Sequence, residues 1–324
     1  MSELLLLTQR KNKPVIDWSF MDAMPSGFAY TRAGAATYFD NAGVMQVASA
    51  NVPRWDYDPI TLERKGLLIE TQSANLFINS DTPVTQSLTV AATEYTLSFF
   101  GAGSIVLNGA RDETVVGLGA YPVRKARTFT PTAGTLTLTI VGDVQKVQFE
   151  ASGHATSYIS TGETTVTRAM DLLYTNDIAW RNQQQGTMVA DYQLVGVPTS
   201  GTYPRSASFS DGSYNRVDLQ CDKNGFSAYI RNSGSVQFDA ARIMAASLTL
   251  PVRHALRYKT NDSRLAVNGT LGVHDLVCTL PTLITRLSFG SGNGASTHYG
   301  DMWLKRFRYW NSALTDAELQ RITQ

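Results

Sequence analysis

The chain has 324 residues, 43% of them hydrophobic and 17% charged, with a net charge of +1. This is a globular composition, long enough for two or three domains of roughly 100 to 150 residues each. The near-neutral balance excludes a partner held chiefly through phosphate neutralisation, which needs clustered Lys and Arg, so no nucleic acid is expected.

The chain opens near an apolar run, Leu4 to Leu7, that follows Glu3 and meets Thr8, Gln9, Arg10 and Lys11. A secretory h-region needs roughly 7 to 15 apolar residues and a membrane span about 20, so neither a signal peptide nor membrane insertion is expected. The segment 1–79 reads as an irregular β module. "YFDNAGVMQ" (Tyr38 to Gln46) predicts a hairpin turning at Asn41-Ala42-Gly43, because Asn and Gly accept positive φ. "WDYDP" then predicts an Asp-Pro turn before an apolar strand, Leu67 to Ile69.

Segment 80–170 alternates with period two. Leu88 and Val90, Tyr95, Leu97 and Phe99, Ile105 and Leu107, Leu136, Leu138 and Ile140, then Val147 and Phe149 each recur on one face between Gly-rich breaks. Such strands predict a small antiparallel sandwich, jelly-roll-like or of the carbohydrate-binding-module kind. Segment 171–324 alternates again, with Asp-Gly, Asn-Gly and Ser-Gly turn signals. Its clearest hairpin is "HALRYKTNDSRLAVNG", with Leu256 and Tyr258 facing Leu265 and Val267.

The chain closes on "GDMWLKRFRYWNSALTDAELQRIT". Strand parity puts Phe307 and Tyr309 in a core and Arg306 and Arg308 toward solvent, while Trp303 and Leu304 fit that parity only with a bulge. Thr315 and Glu318 form a capping box, with Leu314 and Leu319 as the staple, which predicts a short helix from about Asp316 to Ile322. The expected fold is all-β: the irregular N-terminal module, the small sandwich, and a larger β-sandwich ending in this helix.

Cys221 and Cys278 lack CxxC spacing and are read as buried small hydrophobes, with a disulfide as the alternative. The nearest carboxylate pairs are Asp56 with Asp58, Asp112 with Glu113, and Asp218 with Asp222. The first reads as loop capping and Arg111 to Glu113 as a solvated turn. The third leaves a structural calcium shared with another loop conceivable, although no cofactor is expected. His154, His254, His274 and His298 are scattered, and no catalytic triad is assigned from them.

Three passages resemble tailed-bacteriophage structural proteins. "FAYTRAGAATYFDNAGVMQVASANVPRWDYDPITLERKGLLIETQSANLF" (Phe28 to Phe77) is similar to their opening module, and "VQFEASGHATSYISTGETTVTRAMD" (Val147 to Asp171) to the phrase that ends the next one. The closing stretch resembles the end of a phage laminin-G-like or concanavalin-like sandwich; the chain departs from the usual phrases at Ser160 in the second passage and at Asn311 to Ala313 in the closing one.

The resemblance implies a virion component of a tail, fibre or spike, located in the virion after assembly in a bacterial cytoplasm. It implies other virion proteins as partners, a homo-oligomer with a trimer favoured, and attachment to host surface polysaccharide. Concanavalin-like hydrolases carry Glu-x-Asp-x-Glu on one strand, and no such triplet occurs here, so a non-enzyme is expected. The alternatives are a head or tail decoration protein contacting only virion proteins, and a glycan depolymerase. A sugar site needs an aromatic face and a few polar groups, which the loops of the last segment offer at Tyr203, Tyr214, Asn293, His298 and Tyr299. Packing is an equally good use for each of these tyrosines.

Overall fold

The computed structural model describes residues 13–199, 201–245, 247–291 and 299–324. The Leu4 to Leu7 run lies outside them. The described chain is nearly all-β, with one helix, Asp316–Thr323. No helix among the described residues is long and apolar enough to cross a membrane.

The larger sandwich faces an eight-stranded sheet against a seven-stranded one. In the first, the order is Thr270–Asp275, Ser263–Val267, Val252–Lys259, Gln185–Leu194, Met302–Trp310, Arg64–Ile69 and Arg54–Tyr57, with Ile16–Ser19 also pairing Met302–Trp310. In the second, it is Ala29–Thr31, Leu172–Thr175, Arg286–Phe289, Arg205–Ser210, Arg216–Asp222, Gly225–Asn232 and Ser235–Asp239. Phe209, Leu219, Ile230, Leu256, Tyr258 and Phe307 fill the space between them. Both ends of the chain meet here, because Ile16 pairs with Tyr309, Trp18 with Phe307, and Leu68 with Trp303. No local signal announces partners so far apart in sequence.

The smaller sandwich places Glu113–Val116, Ser104–Gly109, Gly134–Val141 and Gln86–Val90 over Gly119–Phe129, Tyr95–Gly101 and Gln145–Glu150. Leu97, Phe99, Ile105, Leu107, Leu136, Leu138, Val147 and Phe149 are buried together, as the alternation predicts. Each such side chain contributes about 1.5–3 kcal/mol on burial. The turn expected at Arg111 to Glu113 needs correction. Glu113 opens a strand that buries only Val115, and its carboxylate takes Arg111 at 2.7 Å and Arg127 at 2.6 Å. One inward apolar residue in four is too short a pattern to read.

The hairpin of the first segment pairs Ala36–Phe39 with Met45–Ala48. Its turn is organised by Asp40, which accepts the amides of Ala42 and Val44, and Gly43 takes φ +73° with a carbonyl too close to admit a Cβ. Asp58 caps the Asp-Pro turn by accepting from the amides of Ile60 and Thr61. Asp56 does not cap a loop: it sits buried on strand Arg54–Tyr57 and accepts from the Phe39 amide and the Trp303 indole.

The closing strand contains the expected bulge. Asp191 pairs with Arg306 and Tyr192 with Leu304, so Lys305 is extra and Leu304 and Phe307 both face the core. Arg308 departs from the solvent-facing expectation. Its guanidinium pairs with Asp191 at 2.9 Å and donates to the Ile322 carbonyl, because the terminal helix lies over that side of the sheet. Thr315 and Glu318 form the capping box, and Leu314 and Leu319 are buried with Val189, Ala255, Ala266 and Trp310. Cys221 and Cys278 are buried and unbridged.

A buried charge cluster joins the first segment to the end of the second. Arg54 bridges Glu70 at 2.7 Å and Asp171 at 2.6 Å, and Arg32 reaches Asp171 at 3.2 Å. Ser157 donates its amide and its hydroxyl to Glu70, while Tyr30 and the Glu70 amide donate to Asp171. Arg32 spends its remaining donors on the carbonyls of Gly34, Ala48, Ser49 and Val52. Arg168 stands 3.5 Å from Glu70 and is the one member whose nitrogens make no hydrogen bond among the described residues. Burial alone would raise the Glu70 carboxyl, but Arg168, Arg54 and Ser157 hold it down to about 2. These residues all fall within Phe28 to Phe77 or Val147 to Asp171, so in this fold the two stretches encode a structural clasp.

Candidate functional site: the outer face of the seven-stranded sheet

Antiparallel partners share a face, so the register sorts the seven-stranded sheet into two sides. Ala207, Phe209, Val217, Leu219, Ala228, Ile230 and Leu287 face the sandwich core. The pairs Ser208 with Asp218, Ser210 with Arg216, Asp218 with Tyr229, Gln220 with Ser227, and Arg216 with Arg231 fall on the outer side. A bulge between Arg205 and Ala207 places Arg205 opposite Gln220, on that outer side too.

Outward polar side chains on a sheet are ordinarily exposed, and these are not. Ser208 and Asp218 are 0% exposed, Arg205 1%, Gln220 5% and Arg216 9%. The serines are too short to rise above the sheet, and longer side chains stand around them. Arg216 lies over the Tyr229 ring at 5.1 Å and Arg286 over Tyr174 at 4.3 Å. The result is a buried polar row flanked by guanidinium–ring stacks.

Asp218 accepts from the Ser208 hydroxyl at 2.5 Å and stands 2.7 Å from Arg205 Nε and 3.5 Å from Arg216 Nε. These two ion pairs lack hydrogen-bond alignment. Arg205 Nε and Nη1, Arg216 Nε, Asp218 Oδ2, Ser210 Oγ and Ser227 Oγ are all buried without a hydrogen-bond partner among the described residues. Burial raises the Asp218 carboxyl above its usual range, against the pull of Arg205, and lowers the Arg205 guanidinium. Asp218 Oδ2 is held by the two guanidiniums as an ion pair, so the groups left with neither a hydrogen bond nor a charged partner are Arg205 Nη1, Ser210 Oγ and Ser227 Oγ. Buried polar groups are nearly always satisfied, so such a cluster marks a place where a polar ligand fits. A hydroxyl-bearing ligand is of that kind.

Of the residues expected from sequence, Tyr203 and Tyr214 flank this face at opposite ends of strand Arg205–Ser210. They are 38% and 61% exposed, and six strand residues separate them by roughly 20 Å. Arg242, which pairs with Asp222, covers the Tyr203 ring, and Arg231 covers Tyr214. Asn293 and His298 lie outside the described residues.

Tyr299 lines a different hollow, a cleft of about 310 Å³ shared with His154, Asp301 and Thr71. There His154 Nε2 meets Asp301 Oδ2 at 2.9 Å, and Thr71 donates its amide and hydroxyl to the same carboxylate. Burial opposes charging of His154, yet the hydrogen bond and charge of Asp301 prevail and raise its pKa. Gly196 backs onto the imidazole so closely that a Cβ would lie 2.2 Å from His154 Cβ. The expected residues that are described, Tyr203, Tyr214 and Tyr299, therefore do not line one pocket.

The calcium conceivable at Asp218 and Asp222 is corrected by the same geometry, since arginines occupy both carboxylates. A divalent cation would meet those guanidiniums. Among the described residues no cluster of three or more His, Cys, Asp or Glu is placed to hold a metal. His254 is buried and bonded to the Tyr192 hydroxyl, and His274 pairs with Asp262.

Arg205, Arg216, Ser227 and Tyr229 were not singled out by sequence, and Asp218 only as half of a carboxylate pair, because period two assigns them only to a polar side. The available signal is the spacing in "RSASFS", where the polar positions are serines rather than the long Lys or Glu of a solvated face.

No protein-family model matches the chain, and no curated protein matches it. Among solved structures, the chain is similar to the CBM40 module of Ruminococcus gnavus IT-sialidase, at 17% identity over 44% of this chain and 84% of that one, with a TM-score of 0.38. It is also similar to the NanB sialidase from Streptococcus pneumoniae, at 14% identity over 44% of this chain and 24% of that one, with a TM-score of 0.37. Trypanosoma rangeli sialidase gives 15% identity over 43% of this chain and 22% of that one, with a TM-score of 0.32. Likenesses at this level identify neither a ligand nor an activity.

Proposed function

We propose that this protein is a non-enzymatic structural component of a tailed-phage virion, of tail fibre or spike type, that contacts host surface glycan through the outer face of its seven-stranded sheet. The observation that carries the glycan reading is the row of buried polar atoms without a hydrogen-bond partner among the described residues at Arg205, Ser210 and Ser227. The guanidinium–ring stacks of Arg216 on Tyr229 and Arg286 on Tyr174 beside it offer flat faces for a pyranose. The virion reading rests on the three phage-like phrases of the sequence. A homo-oligomer, with a trimer favoured, would multiply weak single sites through effective concentration.

The test uses the full chain, because strands Ile16–Ser19 and Arg64–Ile69 belong to the same sandwich. Binding to lipopolysaccharide or capsule of the host is expected, weakened at least about tenfold in Arg216→Ala and in Ser227→Ala, as for loss of a hydrogen bond to a charged or buried group. Absence of binding, with phage adsorption unchanged by these variants, would leave a decoration protein. Release of reducing ends from the glycan would make it a depolymerase. Electron microscopy of labelled particles decides between tail and head.

A further inference from the structure

Residues 154–156, 194–196 and 301–303 form a wall with a cleft on either side. His154, Gly196 and Asp301 line the cleft already described, whereas Ala155, Val195 and Trp303 line a second one of about 500 Å³. This second cleft opens where the N-terminal hairpin, the small sandwich and the large sandwich meet, away from the polar sheet face.

Its walls are aromatic, with Tyr38, Tyr57 and Trp303 among them. Five charged groups line it: Asp56, Asp58, Lys65, Glu70 and Arg124. Lys65 is paired with Asp58 and Glu70 with Arg54, which leaves Asp56 and Arg124. Asp56 is 7% exposed and accepts one bond on each oxygen, from the Phe39 amide at 2.8 Å and the Trp303 indole at 2.8 Å. Each carboxylate oxygen has two acceptor positions, so capacity remains on both. Burial raises the Asp56 carboxyl above its usual range. Arg124 donates Nη1 to the Thr156 carbonyl at 2.6 Å and Nη2 to the Ser98 hydroxyl at 2.8 Å. Its Nε is buried without a hydrogen-bond partner among the described residues.

A ligand entering this cleft meets a ring face, one spare acceptor and one spare donor. An anion would satisfy Arg124 and oppose Asp56, and a cation would do the reverse. A neutral hydroxyl group serves both, accepting from the guanidinium and donating to the carboxylate, and leaves no unpaired charge buried. Lys65 lies over the Trp303 ring and Arg64 over the Tyr57 ring, so of these three Tyr38 is the ring left to a ligand. We propose that this cleft is a second binding site, for a neutral sugar unit whose ring packs on Tyr38 and whose hydroxyls are held by Asp56 and Arg124. This site needs neither the virion assignment nor the sheet face.

The experiment is saturation-transfer NMR of the full chain with three neutral probes, methyl α-glucopyranoside, methyl β-galactopyranoside and N-acetylglucosamine, and with glucuronate as the charged comparison. At least one neutral probe should receive saturation, and glucuronate should bind at least about tenfold more weakly. Asp56→Asn and Arg124→Lys should each weaken the neutral probe by about tenfold or more, while Val277→Ala, at an exposed position that lines neither cleft, leaves it unchanged. Arg124→Lys keeps the charge and removes the Nε donor, so it remains informative if Asp56→Asn fails to fold. Transfer to none of the neutral probes overturns the proposal. So does binding that Arg124→Lys leaves intact, and so does loss in Ser227→Ala alone, which would assign the sugar to the sheet face.

Discussion

Two buried clusters of arginine and carboxylate occupy this molecule, and they are built to opposite ends. At the junction of the first two segments, the oxygens of Glu70 and Asp171 are covered by Ser157, Tyr30, Arg32 and Arg54. On the outer face of the seven-stranded sheet, Asp218 Oδ2 lacks a hydrogen bond although two arginines stand near it. Desolvating charges is costly in both places. At the junction both carboxylates are fully bonded, although Arg168 and Arg54 Nε are not, and the cluster acts as a clasp. On the sheet the carboxylate itself is held by ion pairs that lack hydrogen-bond alignment.

The difference can be broken most decisively at Glu70. Glu70→Gln leaves Arg54 and Arg168 without their shared anion and should cost about 3–5 kcal/mol in chemical denaturation, as expected for one member of a buried pair. A cost below about 1 kcal/mol would show that the junction is no clasp.

The pH dependence comes next. Burial depresses His254 from 6.5 to about 3, so it stays neutral in the folded chain, and its contribution is complete above 6.5 and is lost progressively as pH falls toward 3. Glu70, lowered from 4.5 to about 2, adds a second loss between those values. Thermal melting should therefore fall gently below pH 6.5 and steeply below 4.5, and His254→Asn should flatten the first part.

A matched pair of serines sharpens the contrast. Ser157→Ala removes a hydroxyl that donates to Glu70 at 2.6 Å and should cost about 1.5–3 kcal/mol. Ser227→Ala removes a buried hydroxyl without a partner and should change stability by less than about 0.5 kcal/mol, or raise it. Equal costs in urea denaturation would erase the distinction between clasp and open face. The smallest effect expected is at the terminal helix, where Thr315→Ala removes the cap that accepts the Glu318 amide and should cost about 1 kcal/mol by the same measurement.

The sandwiches were legible wherever one apolar residue in two faced a core, as at Leu97, Phe99, Leu136 and Leu138. The bulge at Lys305 and the capping box at Thr315 were legible because parity and cap chemistry are local rules. The pairing of Trp18 with Phe307 was not, since nothing in either stretch names the other. Tyr203 and Tyr214 lie at the ends of a strand of the seven-stranded sheet, but its buried polar row was not legible, since it depends on serines being short and on which strands lie side by side. The partnership of His154 with Asp301 is likewise a product of tertiary approach. Carboxylates on paper look alike; Asp58 caps a turn, Asp56 reaches an indole, and only the fold distinguishes them.

Strand Met302–Trp310 lies between Gln185–Leu194 on one side and Arg64–Ile69 and Ile16–Ser19 on the other. It is the last of its sheet to leave the ribosome, so strands made early must wait for almost the whole sequence before their hydrogen-bonding edge is covered. Assembly of this layer is thus set by non-local closure and should be slow, with the N-terminal strands open to mispairing until then. During synthesis, timing is as much a hazard for this protein as stability.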